Sequence, residues 1–255
     1  MSPPGLQDFA GTPDVMVHCA GSGSVAYSLS DPLSDFDRTV TTTATVLDYV
    51  RRRSPQTVVV YPSSASVYGV AKVLPISEDS ATAPISPYGL HKWMAEQLVI
   101  SYSTHYSVCA SIVRLFSVYG CGLRKQLLWD GCRKLMAGDR VFMGTGGEVR
   151  DWLHIDDAAD LLRVASEHAT SQCPISNGGT GEGVCVREVL EHLANCLIVG
   201  GELPSFTDAQ RPGDPSVYIA DTTRAAQWGW KPSEHWRVRV AEYAAWWKLE
   251  MGLER

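Results

Sequence analysis

The sequence predicts an α/β protein: a parallel sheet with helices on both faces, joined to a smaller second α/β lobe. Two observations lead there. Through the first half, short apolar and β-branched runs alternate with helix-length stretches, the pattern of strands buried on both faces. Past Gly120 the alternation loosens into shorter pieces. That change sets a boundary near 120–125 and divides the chain into 1–122 and 123–255, with segments crossing between the two.

The first strand is DVMVHCAG, Asp14 to Gly21, an apolar run closed by small residues. A helix over 32–53 follows and ends at RRRSP, a basic cluster suited to a helix C-terminus. TVVVYPSSASVYG (57–69) is the next strand, ending in a serine-rich tip. A long helix over 87–105 and a third buried strand, VCASIVRLFSVYG (108–120), complete the first part. The second part reads as a helix over 128–137, a short strand RVFMG, a strand and helix in EVRDWLHIDDAADLLRVASEHA, a strand-like piece at CPISNGG and a helix over 186–196. Its tail holds a turn, a short strand, a short helix and a last helix carrying Trp246 and Trp247.

The chain has 255 residues, 45% hydrophobic and 20% charged, an ordinary globular composition. A net charge of -6 argues against nucleic acid or an anionic membrane as partner; it leaves room for an anionic small ligand held by local arginines. Seven cysteines are scattered without a CxxC pair or a Cys/His cluster at metal spacing, so they read as reduced core residues in a cytoplasmic protein with no metal site. The start MSPPGLQDFAG lacks the basic flank and apolar run of a signal peptide, and no apolar stretch is long enough to span a bilayer.

Chemistry is expected at the carboxyl ends of the parallel strands. Ser63 and Ser64 fall at the tip of the second strand, and Tyr88 and Lys92 lie one turn apart on one side of the following helix. A tyrosine hydroxyl titrates near 10 and a neighbouring ammonium favours its phenolate. A serine hydroxyl can then hold a substrate oxygen within reach. Together the three suit proton removal from an alcohol as hydride leaves its carbon. Tyr-x-x-x-Lys alone is a weak signal; the serine-rich strand end and the parallel sheet strengthen it.

DVMVHCAG, SSASVYG, PYGLHK, VRLFSVYG, VRDWLHIDDAA and RPGDPSVYIADTTRAAQWGW stand in an order that resembles the extended short-chain dehydrogenases/reductases, above all their NAD-dependent nucleotide-sugar epimerase/dehydratase branch and its UDP-sugar 4-epimerases. The resemblance runs from about residue 14 to the last helix. It implies a Rossmann-type sheet, a nicotinamide cofactor, a nucleotide-diphosphate sugar as substrate, and epimerisation at C4 by transient hydride transfer. It assigns Ser64 to the substrate oxygen, Tyr88 to the base and Lys92 to its activator and to the cofactor ribose. Ala20, Gly21, Ser63 and Phe116 match residues along the cofactor's path, with Tyr88 and Lys92. Ser117, Arg150, Arg211 and Tyr218 match residues that contact the sugar nucleotide. It also implies a homodimer through the helices at 32–53 and 87–105. Dehydratases of the family carry acidic residues directly after the hydroxyl residue; Ala65 and Ser66 stand there and cannot move protons, which favours the epimerase. A catalytically impaired relative that only binds, and a dehydrogenase, reductase or dehydratase on the same scaffold, are the alternatives.

Several features depart from the family pattern. No glycine-rich pyrophosphate turn opens the chain; GSGSVA (21–26) matches a later loop, and the glycines at 178–183 lie in the second part. Met1 is therefore expected to enter late, with about 50–60 residues of the usual first half and the residue that selects NAD over NADP missing, and the first strand left at an edge. NAD is the expected cofactor, with NADP left open. Thr39 and Thr42 replace an Asn and a Gly, and Ser117 replaces an Asn. His18 is expected to be packed and His91 to be solvated. Asp156 and Asp157 read as acids at a helix start, and Trp228, Trp230, Trp236, Trp246 and Trp247 as core of the second lobe.

Overall fold

The computed structural model describes Leu6 and residues 9–198, 201–209 and 215–253. Along the chain, β1 (Val15–Val17) leads to α1 (Val25–Ser30), α2 (Pro32–Phe36), a π-helical turn (Asp37–Thr41) and α3 (Thr42–Arg53). Next come β2 (Val58–Ser64), a 3-10 turn (Ala65–Tyr68), α4 (Pro87–Tyr106), β3 (Ala110–Leu115) and β4 (Ser117–Tyr119). They are followed by α5 (Gln126–Met136), β5 (Val141–Phe142), β6 (Val149–His154), α6 (Ile155–Glu167) and β7 (Ile175–Gly178). The last elements are β8 (Gly183–Cys185), α7 (Val186–Leu197), β9 (Ser205–Phe206), α8 (Thr223–Gln227) and α9 (Trp236–Glu250).

Two compact units result. The first comprises Met1–Leu115, Ala159–Gly178 and Asp221–Trp230; the second comprises Phe116–Ala158, Gly179–Ala220 and Lys231–Arg255. The first break thus falls at Leu115, a few residues ahead of the boundary at 122 read from the sequence. It coincides with a break in what reads as one strand over 108–120: β3 pairs in one sheet and β4 in another.

The first unit is the α/β half that the alternation predicts. Its four strands run in the order β1-β2-β3-β7, every pair parallel. Val59, Val60, Tyr61, Ile112 and Val113 are almost completely buried because helices cover both faces. Leu47 and Val50 of α3, and Ala95 and Val99 of α4, join Tyr61 and Ile112 in one core. Burying one such large apolar side chain contributes roughly 1.5–3 kcal/mol. Among the described residues β1 pairs with β2 alone, and Val15 and Val17 are exposed.

The stretch 32–53 is helical throughout, as expected, with a π-helical turn in its middle. Threonines in its middle turn their hydroxyls back onto the chain: Thr43 Oγ1 donates to the Thr39 carbonyl at 2.6 Å and Thr45 Oγ1 to the Thr41 carbonyl at 2.8 Å. Such back-bonding competes with the helical ladder, and the π-helical turn sits there. By contrast α4 is regular. Ser86 caps it by accepting from Gly89 N at 3.1 Å, Pro87 occupies its first turn, and Ser107 ends it in the left-handed conformation at φ 59°.

A buried ion pair ties α4 to the sheet. Arg114 of β3 donates through Nε and Nη2 to the Glu96 carboxylate at 3.0 and 2.8 Å, and through Nη1 to the Glu78 carbonyl at 3.1 Å. Its guanidinium lies 4.8 Å from the Tyr68 ring, and the Tyr68 hydroxyl donates to Asn177 Oδ1 at 2.6 Å.

The second unit holds a three-stranded sheet, β4-β6-β8, and the short β5-β9 pair. Its core gathers Trp236 and Trp247 with Leu190, Leu193 and Tyr243, and Trp246 packs against it. Trp228 and Trp230, expected in this core, belong to the first unit, where the Trp228 ring stacks on His168 at 5.0 Å. The short helix α8 carries them there. All seven cysteines are free, but only Cys132 and Cys173 are buried, so the core reading fits two of them. No helix among the described residues is long and apolar enough to cross a membrane.

Replacing Glu96 by Gln leaves the buried Arg114 guanidinium without its counter-charge. The expected loss is about 3 kcal/mol of unfolding free energy, read as a lower urea midpoint with an unchanged slope.

Candidate active site

The carboxyl end of β2 and the start of α4 meet in the first unit. Ser64 is the last residue of β2 and caps the 3-10 turn, its Oγ accepting from Ser66 N at 3.2 Å. The first turn of α4 lies against that turn, and Gly89 permits it: a Cβ there would sit 2.7 Å from the Ser66 carbonyl oxygen and 3.1 Å from Pro84 Cβ. Ser28, fully buried in α1, accepts from Tyr88 N at 3.0 Å. Three backbone constraints therefore fix where Tyr88 stands. Its side chain is half-buried.

Lys92 follows one turn later and is buried. Its Nζ donates to the Pro62 carbonyl at 3.0 Å and lies 5.0 Å from the centre of the Tyr61 ring. Burial lowers the Lys92 amine to about 8, with Cys19, Asp35 and Glu96 opposing the fall. The Tyr88 hydroxyl shifts upward, chiefly from burial; the Ser64 side chain opposes this and the Asp35 charge adds to it. The sequence reading had the ammonium lowering Tyr88; here burial outweighs any such help, and the phenol is the resting form.

After β1, Ala20 and Gly21 are exposed. Gly21 has φ +156°, a conformation L side chains rarely adopt, and a Cβ on it would stand 3.8 Å from Lys92 Nζ. Thr39 holds this loop, its Oγ1 accepting from Ser22 N at 3.3 Å, so it serves the backbone of the site. His18 is buried and its Nε2 is 3.0 Å from Thr43 Oγ1. Burial, then the Lys92 charge, lowers His18 to about 4. The family implies a nicotinamide cofactor, and the donor set fits one end of it. Ser63 Oγ is buried with no partner among the described residues, and Lys92 has donors beyond the one that Pro62 accepts.

His91 is the clear correction. It is buried, not solvated, and its Nδ1 lies 2.6 Å from Oδ2 of Asp35 on α2. The partner is 56 residues away in sequence, which is why the helical position alone misplaced it. Ser28, Asp35 and Glu96 were also missed. Only Arg114, a charge inside an apolar strand, gave a signal that a buried partner had to exist.

In the second unit, Arg150 is buried; its Nη1 donates to the Val149 carbonyl at 2.8 Å and the Ser216 carbonyl at 3.3 Å. The guanidinium lies 5.9 Å from the Tyr218 ring, and that ring meets Phe116 edge-on at 6.2 Å. Phe116, Arg150 and Tyr218 are thus together, and Ser117 is half-buried on β4. Arg211 lies outside the described residues. Asp151 does not pair with Arg150. Its carboxylate accepts from Thr180 N at 2.6 Å, Gly181 N at 2.9 Å and Ala220 N at 3.1 Å, so the glycine turn at 178–183 cradles a carboxylate of its own chain. Asp157 accepts from Ser233 N and Oγ at 3.1 and 2.6 Å, and no group of three potential metal ligands occurs among the described residues.

A parallel sheet with a serine, tyrosine and lysine at its carboxyl edge defines the class of extended short-chain dehydrogenases/reductases. The comparisons agree. The model of the NAD dependent epimerase/dehydratase family matches residues 4–176, and the chain belongs to that family. It is 32% identical over 241 residues to a UDP-glucose 4-epimerase of Azospirillum brasilense, covering 86% of this chain and 68% of that one. With a UDP-glucose 4-epimerase of Corynebacterium glutamicum it shares 30% identity over 249 residues, 91% and 74% of the two chains. The solved structure of MoeE5 in complex with UDP-glucuronic acid and NAD superposes with a TM-score of 0.87 at 25% identity, covering 96% of this chain and 82% of that one.

His18 makes stability fall with acid. The unfolded chain takes up the imidazole proton near 6.5, whereas the folded chain resists until about 4, so stability is full above 6.5 and drains as pH falls towards 4. At pH 4.5 the loss from this residue is about 2–3 kcal/mol. Urea midpoints of wild type and His18→Gln at pH 7 and pH 4.5 should show the smaller pH difference in the variant.

Proposed function

We propose that the chain is a nucleotide-sugar 4-epimerase that uses NAD. The observation that carries this is Ser64 at the carboxyl end of β2, with Tyr88 and Lys92 one turn apart on the helix whose first turn lies against it. Relatives named UDP-glucose 4-epimerase, with at least two thirds of their length matched, support the epimerase and point to a UDP-sugar.

Ser64 orients the sugar C4 oxygen by hydrogen bonding, and Tyr88 accepts its proton. Lys92 holds the cofactor ribose through the donors that Pro62 leaves free. Ala20, Gly21, Ser63 and Phe116 line the remainder of the cofactor's path. Bound in its oxidised form, the nicotinamide supplies a hydride acceptor and a positive charge that favours the phenolate. Arg150 and Arg211 grip the nucleotide diphosphate, and Ser117 and Tyr218 contact the sugar nucleotide. Ala65, directly after Ser64, has no group able to move a proton, and the hydroxyl of Ser66 is buried without a partner among the described residues. Both features support epimerisation over dehydration. Seven free cysteines support a cytoplasmic location.

The proposed assembly is a homodimer through the helices at 32–53 and 87–105, where Leu33 and Leu90 are exposed. Light scattering of the purified chain should give twice the monomer mass; a monomer at micromolar concentration refutes the dimer.

With NAD present, the chain should interconvert UDP-glucose and UDP-galactose or another C4 pair of UDP-sugars, followed by product chromatography. Tyr88→Phe should lower kcat by about 10²–10⁴-fold with the fold intact. No epimer from any UDP-sugar at millimolar NAD or NADP overturns the reading.

A further inference from the structure

Three consecutive residues of β6 hold the segment that carries Tyr218, each with a different kind of group. Val149 uses its main chain: its N–H donates to the Ser216 carbonyl at 2.8 Å, and its carbonyl accepts from Tyr218 N at 3.0 Å. These two bonds make a parallel bridge between Val149 and Val217. Arg150 reaches the same place with its guanidinium, Nη1 donating to the Ser216 carbonyl at 3.3 Å. Asp151 uses its carboxylate, Oδ2 accepting from Ala220 N at 3.1 Å.

The main-chain ladder does not continue to Ala220. The bridge at Val149 is isolated, and from Trp152 to His154 the partner of β6 is β4. Ala220 is 1% exposed, and a buried N–H without an acceptor costs as much as a lost hydrogen bond. The Asp151 side chain supplies that acceptor. Its other donors are all neutral: the Thr180 N–H and hydroxyl at Oδ1, and the Gly181 N–H at Oδ2. Gly179 makes room for the meeting. A Cβ there would stand 2.6 Å from both Asp151 Oδ2 and Ala220 Cβ.

We infer that Asp151 is a positioning residue for Tyr218: by holding the segment 216–220 to β6, it sets where the Tyr218 ring stands against Phe116 and Arg150. The inference rests on the proposed function only in taking that ring as a contact of the sugar nucleotide. A segment attached at Val149 alone is free to pivot about one bridge. A second attachment two residues past Tyr218 removes that freedom, so the direction of the ring follows from both. Displacing such a positioning group by a fraction of its own width is enough to weaken what it holds.

The test reads the segment and the ligand separately. In Asp151→Ala, NMR contacts between the Tyr218 and Phe116 rings should be lost. The Ala220 amide should exchange with solvent about tenfold faster, while β4 stays protected and the thermal transition stays cooperative. The dissociation constant for UDP should rise about tenfold. Gly179→Ala, which wedges the carboxylate away from the amide, should move all three readings in the same direction. Thr180→Val removes only the hydroxyl donor at Oδ1 and should leave them in place. Unchanged ring contacts or unchanged UDP affinity in a folded Asp151→Ala overturns the inference, as does a Thr180→Val that weakens UDP equally. So does a wild-type Ala220 amide that exchanges as fast as an exposed one, a measurement that stands even if the variants fail to fold. A wild-type chain that binds no UDP refutes the proposed function, and the ring contacts and amide exchange then decide the role of Asp151 by themselves.

Discussion

The helix that carries Tyr88 and Lys92 can hold them at the end of β2 only if it cannot slide along the sheet, and the two-pronged contact between Glu96 and Arg114 prevents sliding. Glu96 is one turn beyond Lys92, and Arg114 is on the neighbouring strand, paired in register with Ser63. A planar fork accepts a carboxylate in few orientations, so the pair fixes both the translation and the rotation of α4. At the other end of the same helix, Gly89 and Ser28 fix its first turn against Ser66 and α1. Tyr88 and Lys92 are held by two clamps, and their geometry is a property of the scaffold.

Burial then decides the protonation states. It moves the Lys92 amine down and the Tyr88 phenol up, so each group is pushed towards its neutral form. Cys19, Asp35 and Glu96 counter this for lysine, and Asp35 reinforces it for tyrosine. The resting site therefore holds a neutral phenol near a cation that is only modestly stable. In the proposed reaction, charge supplied by the cofactor is what favours the phenolate.

The sheet and its edge chemistry were legible in the sequence because both are local. The β-branched run at 57–64 reads as a buried strand, and Ser86, a capping residue, is followed at once by a proline and a long helix. Whatever depends on distant partners was not legible. His91 falls on a helix position that periodicity alone leaves ambiguous, and only Asp35, far away in sequence, decides that it points inward. The break of the strand at Phe116 was hidden because β3 and β4 share one apolar composition while pairing in different sheets. Trp228 and Trp230 looked like their aromatic neighbours, yet the short α8 leads them into the first unit. The glycines at 178–183 had the composition of an anion cradle, and composition does not reveal which anion fills it.

That last loop has a consequence for how the molecule meets its ionic surroundings. Its Asp151 carboxylate is met by the main-chain amides of residues 180, 181 and 220 and by the Thr180 hydroxyl. Exposed pairs such as Asp48 with Arg52, by contrast, stand in solvent, where dissolved salt screens them. Raised electrolyte concentration therefore loosens the rim of α3 while the turn around Asp151 keeps its shape, and the second unit's glycine loop is insulated from changes in the surrounding medium that the outer helices feel.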